Sequence, residues 1–152
     1  MAPSASFTPT SKITSAAVSP QPILNRVRGL VVAPNGRIVY AASVEGNSIS
    51  WYTRNAVTGK LMYSGHISKG SYAKLAGVFA IAVSQDGKML YAATGDMTVK
   101  QSCMLWFAIT ASNGALGYTA NNYDCHRNTG SSGTIAVADT GAIRISPDQT
   151  KV

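Results

Sequence analysis

A pattern of a hydrophobic stretch, a tight turn and a second hydrophobic stretch occurs twice in this chain of 152 residues, and a third copy begins near the end of the sequence. Gly29–Ser43 reads GLVVAPNGRIVYAAS, and Ala80–Thr94 reads AIAVSQDGKMLYAAT at an offset of 51 residues (36 to 87). A third copy, AIRISPDQTKV, begins at Ala142, and its serine follows that of the second copy by 62 residues (84 to 146). Asn-Gly and Asp-Gly in the turns of the first two copies supply the positive φ angles of tight hairpins, so the repeat predicts β-hairpins.

The similarity between the first two copies continues into a third and a fourth strand. Residues 50–52 (SWY) match residues 105–107 (LWF) at an offset of 55, so the second copy carries four extra residues between its second and third strands. Glycine turns then lead into fourth strands near Leu61–Gly65 and Leu116–Ala120. Four antiparallel strands in about 50 residues make one β-propeller blade. We therefore predict an all-β fold, a partial β-propeller of about two four-stranded antiparallel blades plus the first hairpin of a third. A β-sandwich with accidental internal similarity is the alternative.

The repeat also divides the chain. We predict a poorly ordered leader over residues 1–22 and a partial propeller over residues 23–152. The predicted blades are residues 27–65, residues 77–120 and, incompletely, residues 140–152. The leader lacks a basic region followed by an apolar region, so no signal peptide is predicted. No apolar stretch is long enough to span a membrane, which predicts a soluble protein, either cytoplasmic or secreted.

The residue pattern shared by the copies resembles the repeats of a known family. It runs from an apolar strand through Ser/Ala-Pro-Asp/Asn-Gly and a basic residue to a Tyr-Ala-Ala strand, an aromatic strand and a Thr/Asn-Gly-x-Leu turn. This series is similar to the repeats of lactonase-type seven-bladed β-propellers, which include 6-phosphogluconolactonase-like proteins and are related to the YVTN-repeat propellers. The residues that carry the resemblance are Ala33–Ala42, Thr58–Leu61, Ser84–Ala93, Asn113–Leu116 and Ser146–Lys151.

The resemblance implies a closed ring of seven blades, which at about 50 residues per blade needs roughly 350 residues. We therefore interpret the chain as a fragment of such a propeller or as a truncated gene product, inactive by itself. The parent protein would hydrolyse a sugar lactone such as 6-phosphogluconolactone, by attack of an activated water. The alternative is a non-catalytic propeller that binds a protein or a glycan. Open blade faces and strand edges predict either missing C-terminal blades or self-association.

The charge pattern narrows the choice of partners. The net charge of +7 comes from 13 Lys and Arg against 6 Asp and Glu. Because the basic residues are spread along the chain with no run or helical stripe, they predict a solvated surface, and nucleic acid is not an expected partner. The sequence has no dinucleotide-binding glycine motif, no P-loop and no His or Cys spacing typical of zinc, so no cofactor and no metal are expected. No pair of carboxylates stands out for acid–base work, which leaves the catalytic residues unassigned.

Three residues are candidates for substrate contact at the channel of the propeller. Arg144 lies between two isoleucines in the innermost strand of the third copy, where a charge is costly unless it is paired or faces a watery channel. A structural salt bridge and an effect of the truncation are the alternatives for this residue. Arg28, at the entrance to the first inner strand, and His126, in an insertion after the second blade, are weaker candidates. His66 is predicted to lie in a solvated loop after the first blade.

Both cysteines fall in additions to the second copy. Cys103 lies beside the four-residue insertion, and Cys125 lies in the segment that lengthens the spacing to the third copy. This placement predicts a disulfide between them. Two free thiols in a cytosolic protein are the alternative.

Overall fold

The computed structural model describes residues 23–96, 98, 101–119, 121–127 and 143. Within these residues the chain forms two antiparallel β-sheets and a single turn of 3₁₀ helix, Ala73–Leu75, so the predicted all-β fold is confirmed. The predicted leader, residues 1–22, lies outside the described residues, and so do Arg144 and all of the hairpin at 140–152 except Ile143. The bounds of the third blade therefore stay a prediction.

Each sheet is built from strands that follow one another in the chain, and every neighbouring pair is antiparallel. Gly36 and Gly87, the turn glycines of the repeat, have φ angles of 68° and 71°, the left-handed conformation that the hairpin prediction requires. The first sheet contains β1 (Val27–Val32), β2 (Ile38–Ser43), β3 (Ser48–Arg54) and β4 (Leu61–Ser68). The second sheet contains β5 (Val78–Val83), β6 (Met89–Asp96), β7 (Gln101–Ile109), β8 (Leu116–Gly117) and β9 (Tyr123–Arg127).

The fourth strand of the second sheet is broken, which corrects the sequence prediction. The strand expected near Leu116–Ala120 ends after two residues as β8, and pairing with β7 resumes in β9. In the second sheet Leu105 lies opposite Tyr123. At the equivalent place in the first sheet, Ser50 lies opposite His66 of the fourth strand. β9 is thus the second half of the fourth strand and not part of a loop between blades. The first sheet has a β-bulge at the equivalent place, and a larger excursion there splits the strand.

The two sheets share one hydrophobic core. Gly29 of β1 lies against β5, where a Cβ on the glycine would come within 3.1 Å of Ile81 Cγ1. Tyr40 and Trp51, two aromatic residues of the repeat, are buried in this core. The Tyr40 hydroxyl donates a hydrogen bond of 2.8 Å to the carbonyl of Gly114, in the turn between β7 and β8. Because a buried hydroxyl needs a partner, this bond fixes the second sheet against the first.

Candidate functional site

A cleft opens at one end of the two sheets, between the β4–β5 connection and the adjoining ends of β6 and β7. Consecutive antiparallel strands reverse direction, so the β2–β3, β4–β5 and β6–β7 connections share this end. The cleft has a volume of about 210 Å³, which is below the range of drug-sized pockets and leaves room only for a small ligand. Its lining residues are Lys69, Ala73, Lys74, Ala76, Thr94, Asp96, Gln101 and Cys103.

Hydrogen bonds hold the β2–β3 turn, the β4–β5 connection and the end of β6 together. The side-chain oxygen of Asn47 accepts a hydrogen bond of 2.7 Å from the Gly77 N–H, and the Gly95 N–H donates to the Gly77 carbonyl at 3.2 Å. Gly77 has a φ of 64°, and a Cβ at this position would collide with the carbonyl oxygen of Gly95. Only glycine fits here, for its conformation and for the close approach of the two backbones. The frame of the cleft is therefore preorganised.

An ion pair borders one side of the cleft. The Lys69 ammonium lies 4.0 Å from Asp96 Oδ2, and Asp96 Oδ1 accepts a hydrogen bond of 2.9 Å from the Thr98 N–H. The Asp96 side chain is only 21% exposed, whereas that of Lys69 is half exposed. A pair this close to solvent adds little to stability. Its consequence is that a carboxylate and an ammonium lie side by side at the cleft.

A second ammonium is supplied by the same β4–β5 connection that carries Lys69. Lys74 belongs to the 3₁₀ helix of the β4–β5 connection, and its Nζ donates a hydrogen bond of 3.2 Å to Gln101 Oε1. The same Nζ lies over the ring of Tyr123, 4.9 Å from the ring centroid, which is within cation–π distance. The Lys74 ammonium therefore has a defined place in the cleft wall.

The wall formed by β7 and β9 is closed covalently. A disulfide joins Cys103, which lines the cleft, to Cys125, which lies directly opposite it in the sheet. The first sheet has Ser48 opposite Ser68 at the same place in the repeat, offset by 55 for the first partner (48 to 103). Cys103 lies in β7, beside the insertion as predicted, and Cys125 lies in β9, not in the longer loop in which the sequence analysis placed it. The bridge thus replaces a serine pair and ties the two halves of the wall together.

The lining chemistry suits a small, polar, anionic ligand. Two ammonium groups attract negative charge, the Gln101 amide offers further hydrogen bonds, and Asp96 is the one carboxylate among the lining residues. The part of the chain that the structure describes holds no group of three or more His, Cys, Asp or Glu that could bind a metal ion. In the same part, no helix is long and apolar enough to cross a membrane.

The residues singled out from the sequence lie apart from this cleft. Arg28 is exposed on β1 and is not among the lining residues, and Arg144 is outside the described residues, so their contact with substrate stays a prediction. His126 lies in β9, which corrects its placement in an insertion. His66 lies in β4 and not in a loop, and its Nδ1 is 2.6 Å from the Tyr63 hydroxyl. The sequence analysis ended the fourth strand near Gly65, whereas β4 continues to Ser68 and includes His66.

The cleft residues themselves were missed by the sequence analysis. The polar lining residues carry no motif, and they come together only because the β4–β5 connection packs beside the ends of β6 and β7: Lys69, Lys74, Asp96 and Gln101. One signal did point to them. The change of offset from 51 to 55 places four extra residues between Thr94 and Cys103, two residues that line the cleft.

Comparison with solved structures shows which fold this is. A Bacteroides uniformis protein, whose assignment as a 6-phosphogluconolactonase is itself provisional, is similar with 27% identity over 60% of this chain and a TM-score of 0.51. The Pseudomonas aeruginosa periplasmic gluconolactonase is similar with 17% identity over 66% of this chain and a TM-score of 0.51. The chain spans about a quarter of each of these proteins, 25% and 26% of their lengths.

These similarities establish the class of fold. The described residues have a lactonase-like β-propeller fold, of which they form two consecutive four-stranded units. No protein-family model matches the sequence, and no curated protein is similar to it at a significant level. The fold is thus shown by the structural comparison and the repeat, and the activity has to be argued from the cleft.

Proposed function

We propose that this chain is part of a β-propeller lactonase and that the cleft binds a sugar lactone such as 6-phosphogluconolactone. The observation that carries the proposal is the meeting of Lys69, Lys74 and Asp96 in one preorganised cleft of a lactonase-like fold. Polar connections at one end of a rigid β scaffold are where binding and catalytic residues are commonly found. The similarity to a 6-phosphogluconolactonase-type protein supports the choice of substrate class.

In the proposed complex the two lysines hold the negative charge of the substrate. Lys74 donates to Gln101 and Lys69 pairs with Asp96, so each ammonium group of the lining has a polar partner at the cleft. Such preorganised charges act at full strength because they need little rearrangement when the ligand arrives. An anionic group on the sugar, a phosphate or a carboxylate, is expected to bind between them.

The proposed reaction is hydrolysis of the lactone. Asp96 accepts a proton from a water molecule, and the water oxygen attacks the carbonyl carbon. The oxyanion that forms is stabilised by a lysine ammonium, and its collapse breaks the bond between the carbonyl carbon and the ring oxygen. The ring oxygen takes up the proton from Asp96, which gives the open-chain hydroxy acid. One water is consumed, and no oxidant, metal or cofactor is required.

The test is lactone hydrolysis by the protein in its full natural length, measured as acid release against the spontaneous rate. Asp96→Asn is expected to lower kcat about a hundred-fold or more, because loss of a general base has effects of that size. Asp124→Asn is the matched control, since Asp124 is an exposed carboxylate of the same sheet that does not line the cleft. Arg144→Ala is measured beside them because Arg144 is the leading channel candidate of the sequence analysis. No hydrolysis of any sugar lactone by the wild-type protein would refute the proposal.

A second candidate function is non-catalytic binding of a protein or a glycan. It is favoured by the exposed apolar side chains of β1, where Leu30 is 68% exposed and Val32 is 50% exposed. Apolar side chains in open positions on an edge strand are typical of a surface that meets a partner. Saturable binding in a pull-down or glycan screen, without turnover of any lactone, would support this function over the first.

A further inference from the structure

We propose that Tyr123 is a positioning residue that holds the Lys74 ammonium at the cleft, and that the Cys103–Cys125 disulfide keeps it there. The inference rests on the proposed function in one respect, namely that the ligand of the cleft is an anion. The inference assigns a role in ligand binding to Tyr123, which does not itself line the cleft, and to the disulfide.

The contact geometry supports this role. The Lys74 Nζ lies 4.9 Å from the Tyr123 ring centroid, and the ring is half-buried against the hydrophobic core. A cation over an aromatic face is attracted by the negative potential of the ring. The same Nζ also donates to Gln101. With two partners, the long lysine side chain loses the freedom that it would have in solvent.

The position of the ring depends on β9. Tyr123 and Cys125 are two residues apart in the strand, so their side chains are on the same face of the sheet. That face looks toward the cleft, because Cys103, opposite Cys125, lines it. β9 follows an interruption of the fourth strand, and the disulfide anchors it to β7 just beyond the tyrosine.

The first sheet shows that this arrangement is particular to the second. Tyr123 lies opposite Leu105, and the residue in the equivalent register of the first sheet is His66, opposite Ser50. His66 has its own partner, the hydroxyl of Tyr63. The aromatic ring and the disulfide thus occur together in the second sheet, beside the lysine of the connection that enters it. The folding of a blade does not require these three features to lie together, whereas a role in ligand binding explains why they do.

The test compares Tyr123→Leu, Tyr123→Phe and the control Tyr63→Leu, which removes another half-buried tyrosine from the first sheet. The first measurement is the rate at which an acetylating reagent modifies Lys74, followed by mass spectrometry on the 152-residue chain. The second is the Kd for 6-phosphogluconate, the hydrolysis product, by calorimetry. The leucine variant keeps an apolar side chain but has no aromatic face, and the phenylalanine variant keeps the face.

We expect Tyr123→Leu to raise the modification rate of Lys74 and to weaken 6-phosphogluconate binding, each by about two- to five-fold. Tyr123→Phe should restore both values, and Tyr63→Leu should change neither. Equal Lys74 reactivity in wild type and Tyr123→Leu would overturn the inference, as would an unchanged Kd in Tyr123→Leu. If the wild type does not bind 6-phosphogluconate at all, the proposed ligand is wrong, and the reactivity of Lys74 still decides whether Tyr123 positions it.

Discussion

The side chain of Asn47 accepts a hydrogen bond of 2.7 Å from the backbone N–H of Gly77, thirty residues further along the chain. This bond joins the β2–β3 turn of the first sheet to the connection that enters the second. The backbone carbonyl of Asn47 also accepts from the Lys69 N–H at 2.9 Å. One residue thus holds both ends of the connection that carries the two lysines, and the geometry of the cleft depends on it.

We predict that Asn47→Ala lowers the free energy of unfolding by about 2 kcal/mol, in part from the lost hydrogen bond and in part from strain. Asn47 has a φ of 47°, which alanine tolerates poorly. Asn47→Gly separates the two contributions because glycine accepts this φ without strain, so it is expected to cost about 1 kcal/mol. Urea unfolding of the three proteins measures both values. An Asn47→Gly variant as stable as wild type would mean that the bond to Gly77 contributes nothing.

The buried hydroxyl of Tyr40 should make stability depend on alkaline pH. Burial raises the pKa of Tyr40 from 10.0 to about 12, because the phenolate would lose its hydration in the core. Between these two pKa values the unfolded chain has lost the proton that the folded protein keeps, so the free energy of unfolding falls as pH rises from about 10 to about 12. Below pH 10 this contribution is constant.

Tyr40→Phe tests this account by removing the titrating group. Its free energy of unfolding is expected to be about 1 kcal/mol below wild type at neutral pH, because the Gly114 carbonyl loses its donor. Between pH 10 and 12 it should fall less steeply than wild type. Denaturant unfolding at several pH values gives both slopes. Parallel slopes for the two proteins would show that Tyr40 does not titrate in this window.

The disulfide should stabilise the second sheet substantially. Replacing both cysteines by serine, Cys103→Ser with Cys125→Ser, recreates the pair that Ser48 and Ser68 form in the first sheet. A bridge over a separation of 22 residues is expected to contribute about 3 kcal/mol through the entropy of the unfolded chain. Urea unfolding of the oxidised protein against the double variant measures this difference. Two free thiols in a non-reducing mass analysis of the wild type would show that the bridge does not form.

Much of the fold could be predicted because it is encoded locally and then repeated. Gly36 and Gly87 lie in turns that require positive φ, and the matched Tyr-Ala-Ala strands that follow them are buried or half-buried in both sheets. These signals depend on neighbours in sequence, and their recurrence at a fixed offset raises them above chance. The break between β8 and β9 has no such signal, since a strand that leaves and rejoins a sheet keeps no fixed spacing.

The cleft could not be predicted for a different physical reason. Lys74 and Tyr123 are far apart in the sequence, and each alone is an ordinary surface or strand residue. They meet because the β4–β5 connection folds back over the outer strand of the next blade. A constellation of this kind depends on tertiary packing, which is visible in the structure only. The unequal offsets between the copies did mark the region, but not the residues within it.

The exposed edge of the first sheet should make the 152-residue chain self-associate. β1 is an edge strand of the first sheet, and its Leu30 and Val32 side chains are 68% and 50% exposed. An edge with unpaired backbone groups and exposed apolar side chains favours pairing with another chain, since each Å² of apolar surface removed from water contributes about 25 cal/mol. We expect the wild-type chain to form oligomers or aggregates at micromolar concentration.

Leu30→Lys with Val32→Thr should shift the population toward the monomer, because a charge on an edge strand opposes pairing. Val57→Lys is the matched control, since Val57 is 94% exposed in a turn and away from that edge. Size-exclusion chromatography with light scattering gives the masses of the species present. A wild-type monomer of 15.9 kDa that melts cooperatively would show that the chain does not self-associate through this edge.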